Sequence, residues 1–165
     1  MAAAFVSVAA LVMLVAGLAK VIEPDPARDA LGVLGVSAPA LLVQIAAGVE
    51  VLVALAALLL SGPIPALVVG ASYLAFAGFV ALLRRDPDAG SCGCFGAAEE
   101  PPSLRHVVVN VVIGLGCLAA GASGALSTLS LLRENWARGA LFVVLSVAAA
   151  WLVGLVLRST RWSSG

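Results

Sequence analysis

Charge is what this sequence has least of. Nine basic and nine acidic residues are all that 165 positions carry, 11% of the chain, and they cancel to a formal net charge of zero. A soluble domain carries about a quarter of its residues as charge, so no water-facing shell can be assembled from this set. The lack of any basic excess also removes nucleic acid and polyacidic partners. Aromatic residues make up only 5%, histidine occurs once, methionine twice and cysteine three times. So few soft or imidazole ligands, with no pair of interrupted apolar segments, disfavour a transporter or a metal-handling chain. No internal repeat or low-complexity tract is present.

Apolar residues fill the space that charge leaves. They make up 62% of the chain, and the mean hydropathy is +1.15. A water-soluble fold of this length would have to expose large apolar patches, whereas a bilayer accepts them. The apolar mass is mostly Ala, Val, Leu and Gly, small enough for helices to pack closely in lipid. The expectation is an all-α polytopic transmembrane bundle, a four-helix core plus a fifth C-terminal helix. It forms one membrane domain over 1–165, multi-pass, in the inner or plasma membrane of the cell, with the lipid bilayer as its first partner.

A hydrocarbon core of about 30 Å needs roughly 20 apolar residues per helix, and five runs qualify: 3–22, 39–60, 64–83, 104–125 and 139–157. The first lacks a basic leader and is long for a cleaved signal, so it is expected to stay. Glu23-Pro24-Asp25-Pro26 ends it, because proline breaks the hydrogen-bond ladder and the carboxylates belong in water. Residues 27–38 then read as a short interfacial helix or loop. Ser61-Gly62-Pro63 turns the chain, and the polar loop 84–103 holds Cys92-Gly93-Cys94-Phe95-Gly96.

Counting spans places groups that are far apart in sequence. Loops separated by two spans lie on one side of the membrane, so Lys20, the Cys92–Cys94 loop, His106 and Asn110 share a face. Glu50 lies about 16 Å below that face at 1.5 Å per residue. Side chains on helices lean toward their own N-terminus, so Lys20 points down and Glu50 up, and an ion pair between them is feasible. Charges within a bilayer are costly unless paired and are candidate functional groups. Against this, Lys20 could simply snorkel at a helix end.

Cys92-Gly93-Cys94 is the sharpest motif. Glycine lets two thiols approach, and a disulfide closed across one residue is strained and labile, suited to exchange. A nearby cation would favour the thiolate, and His106 and Lys20 are on the correct face. Metal ligation by Cys92, Cys94 and His106, or an inert loop, are the rival roles. His106, Asn110 and Cys117 fall on one helical stripe. Asn110 can bond a neighbouring helix, and Cys117 reads as packing, with a third redox thiol as the alternative.

Ala16-Gly17-Leu18-Ala19-Lys20 followed by Pro24, Glu50, Cys92-Gly93-Cys94-Phe95-Gly96, and Arg105 with Asn110 resemble the methylamine-utilisation protein E (MauE) family, within the DoxX-like small membrane proteins. The resemblance covers about residues 3–125 and leaves the fifth run outside. It implies a four-helix membrane core and a link to disulfide formation or thiol handling in exported proteins, beside a thioredoxin-like partner. DoxX-like relatives are associated with quinone-linked electron transfer, which makes a quinone a possible cofactor and Asn110 a possible contact to it. On this basis Cys92 and Cys94 form the exchangeable pair of a thiol–disulfide oxidoreductase component, His106 and Lys20 tune the thiolate, and Glu50 pairs with Lys20 or relays protons. The alternative is a non-catalytic assembly subunit or chaperone for a partner protein. Sidedness pulls two ways. Lys20, Arg28, Arg84, Arg85, Arg105, Arg158 and Arg161 lie on the Cys92–Cys94 side against Arg133 and Arg138, a bias that favours the cytoplasm, whereas oxidation of exported proteins needs the outer face.

Overall fold

A computed structural model describes residues 2–86, 89–90, 93 and 101–123, together with 140, 144 and 146–148. Among the described residues up to 123, five α-helices follow one another: α1 (Ala2–Ile22), α2 (Asp25–Val33), α3 (Ala40–Leu59), α4 (Pro63–Leu83) and α5 (Leu104–Ala122). The described residues contain no strand. All but α2 are long and apolar enough to cross a membrane, each near the ~30 Å that about 20 residues reach in a helix. The run 139–157 lies outside the described residues apart from 140, 144 and 146–148, which are helical.

The four long helices form a ring in the order α1, α3, α4, α5. α1 packs chiefly on α3 and α4 on α5; α1 also meets α5, and the α3–α4 edge is the loosest. Met13, Val69 and Cys117 fill the centre with Ala10 and Ala54. Large apolar side chains such as Leu41, Ile45, Leu52, Ile64 and Leu115 point outward and are exposed, which in lipid carries no penalty. The α4–α5 seam depends on missing side chains. A Cβ on Gly70 would lie 2.8 Å from the carbonyl oxygen of Gly114 and 2.9 Å from Leu118 Cγ, so the two backbones approach as only glycine permits.

The Pro24-Asp25-Pro26 break does more than stop α1. α2 begins at Asp25, two residues before the short helix or loop expected at 27–38, with proline in its first turn. Proline is well placed there, because the first-turn N–H groups have no helical partner and its φ is already helical. The Asp25 carboxylate also faces the positive end of the helix dipole. The helix ends in a Schellman motif: Val36 N–H donates to Leu31 O at 3.0 Å, Gly35 N–H to Gly32 O at 2.9 Å, and Gly35 takes φ +76°. Arg28 ties α2 to its surroundings by donating to Asp25 at 2.6 Å and to the Ala38 carbonyl at 3.2 Å. Ala30 is buried with Val80 and Leu83 of α4. α2 therefore lies over one end of the bundle.

Candidate functional site

The site lies beneath α2. Lys20 is in the last turn of α1, and its Nζ donates to Glu50 Oε2 of α3 at 2.5 Å. The two side chains are only 10% and 16% exposed, enough burial for each charge to depend on the other. Phe76 of α4 covers the ammonium, with its ring centroid 4.9 Å from Nζ, a cation–π contact. Phe76 is held in turn by an edge contact to Tyr73, centroids 6.2 Å apart at 86°. The Tyr73 hydroxyl donates to Ala9 O of α1 at 2.8 Å. Gln44 donates to Val21 O at 3.0 Å, satisfying a carbonyl that the end of α1 leaves without a helical partner.

His106 opens α5. Ser103 N–H donates to its Nδ1 at 3.4 Å and Ser103 Oγ lies 2.8 Å from the same atom, in a reciprocal capping box with the His106 backbone. Nδ1 is thus an acceptor, which puts the proton of the neutral ring on Nε2. One turn on, Asn110 donates to His106 O at 2.8 Å. His106 and Asn110 share a small cavity of about 30 Å³ with Lys20, Tyr73 and Phe76, room enough for water.

On the other side of Lys20 lies a larger cavity of about 400 Å³, within the range of small-molecule sites. α2 contributes Ala27 and Leu31 to its roof, α3 and α4 supply apolar walls, and the Lys20–Glu50 pair supplies the polar end. Gly93 lines it as well. Gly93 is buried with φ +66°, and a Cβ there would fall 2.6 Å from Ala27 Cα and 2.7 Å from Pro26 C. Any other residue would clash with backbone and adopt an unfavourable φ. The centre of the Cys-Gly-Cys motif is therefore docked on the start of α2, at the cavity that holds the ion pair.

Of the residues singled out in the sequence, Lys20 and Glu50 are brought into contact, and His106 and Asn110 reach the far side of Lys20. Cys92 and Cys94 lie outside the described residues, on either side of Gly93. Cys117 is buried in the central core and lines neither cavity described above. Phe76, Tyr73 and Ser103 had not been singled out. Ser103, three residues before His106, has the spacing of a capping box and was readable. Phe76 was not, because α4 is apolar on every side and its sequence does not say which face turns inward.

A family model described as methylamine utilisation protein MauE matches residues 1–123. No curated protein and no solved structure matches the chain.

Proposed function

The chain belongs to the MauE family, and on that premise we propose that this multi-pass membrane protein carries a thiol–disulfide exchange site, with Cys92 and Cys94 as the exchanging pair. One observation supports this above others: Gly93, between the two cysteines, lines the same cavity as the buried Lys20–Glu50 pair. The partner is a thioredoxin-like protein, and the site serves disulfide formation in exported proteins from the outer face of the plasma membrane.

In the exchange, a thiolate of the partner attacks one sulfur of the Cys92–Cys94 disulfide and the other sulfur leaves as thiolate. The partner's second thiolate then resolves the mixed disulfide. Two electrons and two protons have moved from the partner dithiol to Cys92 and Cys94. A quinone would supply the two-electron oxidant that regenerates the disulfide. Glu50 balances the charge of Lys20, and the pair serves to pass protons. His106 offers an Nε2–H hydrogen-bond donor from the other side of Lys20.

Alkylation mass-shift analysis of the full chain in membranes, under reducing and oxidising conditions, tests the proposal. The expected result is a form in which Cys92 and Cys94 both resist alkylation until reduced, lost in Cys92→Ser and Cys94→Ser. If neither cysteine ever bonds to the other or to a partner protein, the redox function fails. A non-catalytic assembly role, unaffected by those substitutions, would then take its place.

A further inference from the structure

We infer that the cavity of about 400 Å³ is a binding site for a neutral, membrane-soluble molecule with a carbonyl-bearing ring as its head and an apolar tail, reached sideways from the bilayer between α3 and α4. The inference deepens the proposed quinone step by giving it a place, but its binding experiment does not depend on thiol chemistry. The way in is marked by two small residues. Ala46 of α3 and Ala75 of α4 are both exposed on the outside of the bundle and both line the cavity. They stand on either side of the loosest edge of the ring.

The polar end selects the head group. Lys20 carries three donors, of which one goes to Glu50, so the ammonium can also donate to a carbonyl oxygen. The pair as a whole is neutral. An anionic phosphate would gain nothing from it overall and would meet the Glu50 carboxylate, whereas a neutral acceptor gains a charge-assisted hydrogen bond at no such cost. The ring of Phe76 and that of Phe79 line the wall beside the pair, giving a flat head an aromatic surface. Elsewhere the walls are aliphatic and suit a tail that continues into lipid.

The probe is radiolabelled decylbenzoquinone, added to the full chain in phosphatidylcholine nanodiscs. The expected result is saturable binding at one site per chain. Ala46→Phe, which fills the cavity one helical turn before Glu50, should weaken it by about ten-fold or more. The charge-neutral double substitution Lys20→Met/Glu50→Leu, which leaves no orphan charge, should do the same. Ile45→Phe, on the exposed face of α3 but outside the cavity lining, should leave it unchanged. Absence of saturable binding, equal binding by Ala46→Phe, or displacement by decane as effective as by unlabelled probe would overturn the inference, the last by showing a gap filled with any acyl chain. Binding that survives in Cys92→Ser/Cys94→Ser while the wild-type thiols never bond would sink the redox function and leave this site standing. Thiol exchange without probe binding would sink the site alone.

Discussion

A buried ammonium and a buried carboxylate stabilise a bundle only in each other's company. Removing one partner of such a pair leaves an uncompensated charge, at a cost of about 3–5 kcal/mol, while replacing both with apolar residues of similar volume is near neutral. Glu50→Leu and Lys20→Met should each destabilise the protein by that amount, and Lys20→Met/Glu50→Leu should recover most of the loss. A double-mutant cycle of reversible unfolding in detergent micelles measures the coupling; additive single effects would mean that the contact at 2.5 Å contributes no pair energy. The contact itself could be read from the sequence, because span counting fixes the face and helical side chains lean toward their N-termini. Its cover could not. Phe76, the Tyr73 bond to Ala9 and the small cavity beside His106 depend on how each helix is rotated about its axis, and runs apolar on all sides carry almost no record of rotation.

Between elements, glycine sets the distances. On α4, a Cβ at Gly70 would meet backbone and side-chain atoms of α5 within 3.0 Å, whereas one at Gly78 would meet nothing within 4 Å. Gly70→Ala should therefore force the α4–α5 seam apart and cost about 1–3 kcal/mol. Gly78→Ala should be neutral or stabilising by roughly half a kcal/mol, since alanine is the better helix former. Thermal unfolding of the two variants side by side separates packing from propensity; equal effects would contradict the close approach. The four long helices were legible because the bilayer imposes a length that few other structures share. α2 was legible only in part. Pro24 and Pro26 read as breakers from the side of α1, but Pro26 is a good first-turn residue for the helix that follows, and single-position propensities do not distinguish an end from a beginning. The docking of Gly93 on Ala27 had no signal in sequence beyond the glycine itself.

For the molecule as a whole, two spans between loops put α2, Gly93 and the start of α5 at one end of the bundle, whichever way the chain is inserted. The proposed role in exported proteins requires that end to face outward, against Lys20, Arg28, Arg84, Arg85 and Arg105, which favour the opposite orientation. A membrane-impermeant maleimide applied to intact cells should label reduced Cys92 and Cys94 without permeabilisation. Labelling that appears only after permeabilisation would move the site to the cytoplasm and remove exported proteins as its clients. Sequence alone could not decide this, because functional cations and topogenic cations are the same residues.

The position of the ion pair along the chain also bears on how the protein is made. Lys20 and Glu50 belong to the first and second of the long helices to leave the ribosome. Glu50 alone, set near the middle of its helix, opposes insertion by about 3 kcal/mol, and Lys20 sits in the last turn of α1. Their salt bridge joins α1 to α3 and needs nothing from α4 or α5, so the two charges can cancel while half of the bundle is still unsynthesised. The nascent pair can then move into lipid as a finished hairpin, ready to receive the tighter α4–α5 unit beside it.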